Sequence, residues 1–379
     1  MPLEEKFEIR LPLRKLLVGL LLTVVPISVL GLYSITEGRE ALERTIGHYF
    51  KTIAESTAAG TAHFITDRVV DVGVIAAQPA IIEAVIASNR SYQGMTDAAI
   101  AAKIEKIDKS WNTPAADSIV KEMLASRTSR LLRRDHELDP RILRITVTDA
   151  KGANVAMSHK TLDYYQADEE YWQNIYAQGR GAISVTDILY DEATKSNYIG
   201  IGVPVFEEGS SQFIGTLDAL VDVSSMFPIV NEVQIGSSGR TILVKEDGTV
   251  ISAPHANLAM KLKSEEYAVV QEALKTSLGR EIGYVVADIR GSGQNLIAFA
   301  DTGLKRTFGK LGWIILVCQN TSEAFAPIRT VERLLAFMSL LGLVMVIMVA
   351  VWFALHRKQP LTEIGDVRTA KGSGANTPQ

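Results

Sequence analysis

Two stretches of the chain carry no charged residue: "LLVGLLLTVVPISVLGLY", residues 16–33, and "LLAFMSLLGLVMVIMVAVWFAL", residues 334–355. At a rise of about 1.5 Å per residue each can cross a hydrocarbon layer roughly 30 Å thick. The first is longer than a typical signal-peptide core and no small-x-small cleavage site follows it, so it reads as an uncleaved helix. After it, Leu42, Ile46, Phe50, Ile53, Thr57, Gly60 and Phe64 recur at spacings of three and four, which predicts one helix over 34–75 with a single apolar face. Pro79 closes it, because the residue before a proline is pushed out of the helical region. Further helical patterns cover 80–88, 96–111 and 115–133. From Arg141 the period changes to that of strands.

The strand region reads twice. "VTDAKGANVAMSH" is strand, turn, strand, with Asp149 and Gly152 in the turn, and "LVKEDGTVISAPH" repeats it further on. Each copy ends in a histidine, His159 and His255, and each is followed by later strands with a polar hairpin. A helix is expected at 263–276. Similarity at one long offset indicates two related modules in tandem. The last piece, "TSEAFAPIRTVERLL", starts a helix with Thr321 or Ser322 as N-cap and Glu323 in the first turn.

Charge sets the topology. Lys6, Arg10, Arg14 and Lys15 precede the first apolar stretch, and His356, Arg357 and Lys358 follow the second, so both termini read as cytoplasmic. About 300 residues then lie outside the cytoplasm, in a two-span protein of the inner (plasma) membrane. The 379-residue chain has a net charge of −4, which argues against a nucleic-acid partner. Its single cysteine, Cys318, sits in an apolar run and reads as a buried, inert thiol. No HExxH or GxSxG occurs, "GLKRTFGKL" has the wrong spacing for a phosphate loop, and neither histidine has close metal-ligand spacing. No enzyme, metal or cofactor is expected.

The order of the long helix, "ITVTDAKGANVAMS", "DYYQADEEYWQNIY", "GIGVPVFEEGSSQFIGTLDALVDVS", "GSSGRTILVKEDGTVISAPH" and "GWIILVCQN" resembles the double Cache sensor domain of prokaryotic transmembrane receptors, over about residues 37–325. The resemblance implies an α+β fold of two tandem PAS-like antiparallel-sheet modules on a long N-terminal helix, flanked by two transmembrane helices. The expected division is a cytoplasmic leader (1–15), a transmembrane helix (16–33), the long helix with further helical segments (34–140), a membrane-distal Cache module (141–235), a membrane-proximal one (236–328), a second transmembrane helix (334–355) and a disordered cytoplasmic tail (356–379). The tail carries no output domain, so the expectation is a sensor read by a separate signalling protein, one piece of a split receptor, or an outside domain that acts directly as a binding or assembly subunit. Such receptors are usually dimers, and the apolar stripe of the long helix could supply the interface.

The stretch 161–179 holds four Tyr, one Trp, two Asp and two Glu, in a chain that is 7% aromatic. In the family this stretch contributes pocket residues. In the amino-acid-binding subgroup, Tyr164 matches the motif tyrosine, Tyr171 and Trp172 the aromatic pair, Asn174 falls where an aspartate would be, and Glu169 where an arginine would be. The subgroup's late-strand aspartate would fall at about Leu220, with Asp218 and Asp222 two residues either side. Two readings stay open. The acids can be a helix start, with Asp168 as N-cap. Alternatively Tyr164, Tyr171 and Trp172 form an aromatic box with Glu169 and Asp187 or Asp218 at its rim, suited to a cationic ligand or to a polar one. The candidate ligand-binding residues are Tyr164, Glu169, Tyr171, Trp172, Asn174, Asp187, Tyr190 and Asp218. The expected function is an extracytoplasmic small-molecule sensor, against a non-catalytic assembly subunit with a decayed pocket.

Overall fold

A computed structural model describes residues 13–192, 194–276 and 282–355. Most of the expected leader and all of the expected tail, 356–379, lie outside the described residues. Thr45–Phe325 forms one compact unit, and the flanking helical segments form another.

The helical half of the chain comprises α1 (Leu13–Ala76), α2 (Pro79–Arg90), α3 (Asp97–Ser110), α4 (Asp117–Ala125) and α5 (Arg127–Leu138). Pro79 begins α2 and holds Gln78 extended, as its sequence context predicts. The single helix expected over 115–133 is two. Ser126 breaks it, with ψ 155, and its hydroxyl caps α5 by accepting from Ser129 N at 3.0 Å.

The first sheet contains β1 (Ile142–Asp149), β2 (Asn154–Met157), β3 (Ser184–Val185), β4 (Leu189–Asp191), β5 (Ser196–Phe206) and β6 (Phe213–Asp222), with α6 (Glu170–Tyr176) inserted after β2 and α7 (Phe227–Asn231) after β6. Its order is β2-β1-β6-β5, and both β3 and β4 pair with β5. The β1–β2 turn is built as the sequence implies. Asp149 Oδ1 accepts from Lys151 N and Ala153 N, and Gly152 takes φ 81, where a Cβ would strike Ala167.

The second sheet contains β7 (Arg240–Lys245), β8 (Val250–Ala253), β9 (Ala256–Asn257), β10 (Ile282–Ile289), β11 (Gly293–Asp301) and β12 (Trp313–Asn320), with α8 (Glu265–Thr276) and α9 (Leu304–Phe308) in the connections. Its order, β9-β8-β7-β12-β11-β10, repeats the connectivity of the first sheet, and all pairs in both sheets are antiparallel. The chain then continues through α10 (Thr321–Ala324) into α11 (Ala326–Leu355). The N-cap of α10 is Asn320, which accepts from Ser322 N, in place of the expected Thr321 or Ser322. Glu323 instead reaches across to Ser237 and Ser238, accepting from both backbone N–H groups.

One apolar cluster joins α1 to the inner face of each sheet. Phe50, Ala54, Ala58, Ile65 and Val72 pack with Ile145, Val147 and Leu217 of the first sheet and with Leu243, Ile315 and Val317 of the second. Most of the α1 stripe is therefore spent inside the chain: Phe50 and Thr57 are buried, and Ile46, Ile53 and Phe64 are partly so. Leu42 of that stripe stays exposed. In the other unit, Ala326–Val349 of α11 is long and apolar enough to cross a membrane, with a mean hydropathy of 2.1.

Candidate functional site

The strand period decides which side chains leave the core. Along β1, Ile145 and Val147 point to the α1 side. Arg144, Thr146 and Thr148 alternate with them and occupy the opposite face. On β6 the residues directly opposite these three are Leu220, Asp218 and Thr216. The outer face of the first sheet thus carries an arginine, three threonines and an aspartate on its two central strands.

The cover is α6 with the segment before it. Trp172 is 3% exposed, stacks on Tyr176 with ring centroids 5.0 Å apart, and donates from Nε1 to Thr148 Oγ1 at 2.9 Å. Thr148 and Thr216 share a hydrogen bond of 2.7 Å. Ile175 descends onto Gly202 of β5, where a Cβ would meet Ile175 Cδ1 at 2.2 Å. Glycine at 202 is what lets α6 lie so close.

Beside this satisfied half lies an unsatisfied one. Thr146 is 2% exposed and its hydroxyl has no partner, and Arg144 Nε is likewise buried and unpaired. Asp218, across the ladder from Thr146, is 6% exposed, and no hydrogen bond from the protein reaches its carboxylate. Burial pushes the Asp218 carboxyl up to about 6, against the pull of Arg144. Burial, then the Asp218 charge, raises the Tyr171 hydroxyl, which donates to Gln166 Oε1 at 2.5 Å. Leaving a buried polar group unpaired costs about 1–3 kcal/mol, so two such atoms beside a buried carboxylate make this patch of sheet a candidate ligand site.

The structure brings Tyr171, Trp172 and Asp218 together, and places the other expected residues elsewhere. Tyr164 is turned into a separate cluster, against Trp111 at 5.3 Å between centroids, and burial raises its hydroxyl to about 12. Glu169, not Asp168, is the N-cap residue of α6, makes no side-chain cap, and is exposed. Asn174 is exposed and bonds Glu170. Asp187 is fully employed: its oxygens accept from Lys245 Nζ (2.7 Å), Trp313 Nε1 (3.0 Å) and Ile188 N (2.8 Å). Tyr190 packs on the core at the α1 face. The box does not assemble as expected, since Tyr164 and Asp187 are engaged elsewhere and Glu169 is exposed.

Two residues of the site were not among those expected, Arg144 and Thr146. Their signal was present in "RILRITVTD", where Arg144, Thr146 and Thr148 alternate with Ile145 and Val147 in a strand buried on both faces. Asp149, on the other face of the same strand, needs no ligand, because Ser88 and Tyr92 hydroxyls donate to it at 2.7 and 2.9 Å.

A groove of about 550 Å³ opens along α3 between Asp97, Ile104, Asp108, Lys151 and Tyr165. Of its polar groups, Asp108 accepts from Tyr164 N and Tyr165 N, and Lys151 pairs with Asp97. His159 lies beside His136, with ring centroids 5.0 Å apart, and His255 is in a turn with φ 65. Among the described residues no group of three or more His, Cys, Asp or Glu could hold a metal ion.

Similar folds occur in solved sensor domains. The ligand-binding domain of the Pseudomonas aeruginosa amino-acid chemoreceptor PctC, in complex with GABA, is 16% identical, covers 72% of this chain and 99% of its own, and has a TM-score of 0.46. That of the Campylobacter jejuni chemoreceptor Tlp3, in complex with 4-methylisoleucine, is 12% identical, covers 75% and 94%, and has a TM-score of 0.47. The chemoreceptor CtaA of Pseudomonas fluorescens, with L-leucine, gives 14%, 76% and 99%, and 0.45. No curated protein matches the chain. The Cache domain family, in its double form (dCache_1), matches residues 38–328, which include both sheets and most of α1, and the chain belongs to that family.

Proposed function

We propose that the chain is a membrane-anchored extracytoplasmic sensor that binds a small molecule on the outer face of its first, membrane-distal sheet, beneath α6. The observation that carries this is the patch of buried, unpaired polar groups on Arg144, Thr146 and Asp218. The family supports a binding role over a catalytic one. Anchoring through 16–33 as well as 334–355 is supported by the apolar side chains that both stretches expose, such as Leu21, Leu22, Phe337 and Met338. In this reading the ligand resets the position of α6 on the sheet, and the shift passes through the second module to the membrane helices of a homodimer, where a separate signalling protein reads it. A ligand biases two states only by its differential affinity for them, and α6 is the element whose position the ligand would set.

The test uses the full chain in detergent micelles, in a thermal-shift screen of amines, amino acids, organic acids and nucleobases. A ligand at a hundredfold its Kd adds about 2.7 kcal/mol, which moves the midpoint by several degrees. Thr146→Val and Asp218→Asn keep the side-chain volume and are expected to abolish the shift. A hit unaffected by either would move the site away from this face. No hit in any class would favour the assembly-subunit reading.

A further inference from the structure

A smaller groove, of about 330 Å³, opens where the last turn of α1 meets α2 and the far end of β5. Its floor is apolar: Ala76 of α1, Ile82 of α2, and Val203 and Phe206 of β5. Its rim is acidic, because Glu207 and Glu208 follow β5 into the hairpin to β6. Among the described residues neither carboxylate has a hydrogen-bond or ion-pair partner. No lysine, arginine or histidine lines the groove. Arg180 stands next to Gly181, whose Cβ would meet Pro204 and Phe206, but it turns back on its own turn and donates from Nε to Ala177 O at 3.3 Å.

The backbone adds to this polarity. Gly200 points its N–H and C=O away from β6, to the hydroxyl and N–H of Thr186. The period of two gives Pro204 the same direction, and β3 begins only opposite Gly202. A proline brings a carbonyl to that edge and no N–H. The groove therefore offers acceptors above an apolar floor. Its far wall is set by a bulge: the ladder of β5 with β6 slips between Val205 and Phe206, which re-aims the last side chain of the strand. Phe206 then borders the groove and also packs on the cluster of Trp172, Tyr176 and Phe213.

We infer that this groove is an accessory binding site for a small organic cation. The ammonium head sits between Glu207, Glu208 and the Pro204 carbonyl, and an apolar body lies on Ile82, Val203 and Phe206. Two carboxylates that nothing in the chain neutralises select positive charge over negative. The volume lies at the small end of the range for small-molecule sites, which fits a monoamine or a quaternary ammonium compound. The site is separate from the patch of Arg144, Thr146 and Asp218 and does not depend on it.

Titration calorimetry on the full chain in micelles of an uncharged detergent tests it, with cyclohexylamine, isoamylamine and choline beside cyclohexanol and cyclohexanecarboxylate. The three cations are expected to bind, with the alcohol and the carboxylate about tenfold or more weaker. Glu207→Gln and Glu208→Gln each lower the affinity about 2- to 5-fold, as for a solvent-facing ion pair, and about tenfold together. Ala77→Phe, at an exposed position on the edge of the groove, fills it and abolishes binding with the melting midpoint unchanged. Thr146→Val and Asp218→Asn leave the affinity unchanged. Saturation with cyclohexylamine changes the near-ultraviolet circular dichroism of the aromatic cluster through Phe206, and an unchanged spectrum overturns the place of Phe206 in the site. Equal affinity for cyclohexanol and cyclohexylamine, or full affinity in the double glutamine variant, overturns the cation site. Loss of binding in Asp218→Asn with full affinity in that double variant puts the amine beneath α6 and overturns it as well. Failure of all three cations to bind does the same.

Discussion

Asp187 joins the two sheet modules, and its removal has a size that can be worked from its contacts. Trp313 is fully buried and its Nε1 donates to Asp187 Oδ1. In Asp187→Ala that donor loses its partner, which costs about 1–3 kcal/mol. Lys245 also loses its carboxylate, but with side chains 18% and 35% exposed the pair is partly screened, and about 1 kcal/mol is a fair share. The sum is about 3 kcal/mol, and at about 2–4 °C per kcal/mol for a unit of this size the midpoint falls by about 6–12 °C. Asp187→Asn keeps an acceptor for Trp313 and loses only the charge, so its fall is about 2–4 °C. Near-ultraviolet circular dichroism of the full chain in micelles follows the melt through its buried tryptophans, Trp111, Trp172 and Trp313. Both substitutions melting within 2 °C of the parent, or the asparagine as low as the alanine, would refute the reasoning. Neither substitution is expected to change ligand affinity, since Asp187 lies outside the site.

Gly202→Ala drives a Cβ into Ile175 and lifts α6, costing about 1–3 kcal/mol in melting experiments and changing Trp172 fluorescence. Hydrogen bonds from Ser238 and Ser237 hold the Glu323 carboxyl down to about 2 from an ordinary 4.5, so its contribution is present above pH 4.5 and fades as pH falls towards 2. Glu323→Gln should therefore flatten acid unfolding in that window, and an unchanged acid limb would count against the contact. Asp218 has the opposite sign. Its folded value, about 6, lies above the ordinary 3.8, so the folded state is penalised as pH rises through this range. Asp218→Asn should be more stable than the parent at pH 8, by on the order of 2 kcal/mol, and no more stable at pH 4. Equal stability at both pH values would show that the carboxylate is not desolvated.

The sheets and their repetition were legible because strand period, Asp-Gly turns and duplicated segments are local signals. The long helix and the boundary at Pro79 were legible for the same reason. Ser126 was missed because a capping serine inside a helical pattern looks like one more polar position until the backbone turns there. At the site, aromatic density drew attention to 161–179, yet Tyr164 serves a neighbouring cluster, and Asp187 and Tyr190 serve the module junction and the core. Asp218 and the pair Tyr171 and Trp172 do come together over the outer face of the first sheet. Arg144 and Thr146 were missed, because a polar residue in a strand gains meaning only when the register shows which carboxylate stands opposite and that no protein group pairs with it.

The sheet-bearing unit is left by two mechanically different routes. α1 is a single helix from Leu13 to Ala76 and crosses the division between units without a break. On the other route β12 leads through α10 to Phe325, whose φ −100 and ψ 14 lie off the helix, before α11 begins. An unbroken helix behaves as a shaft, because each turn's hydrogen bonds resist torsion as well as bending. A non-helical residue interrupts that ladder, although Phe325 is held by its N–H to Thr321 O and by packing on the core. Placing helix-forming residues across Phe325 would convert that interruption into a second shaft.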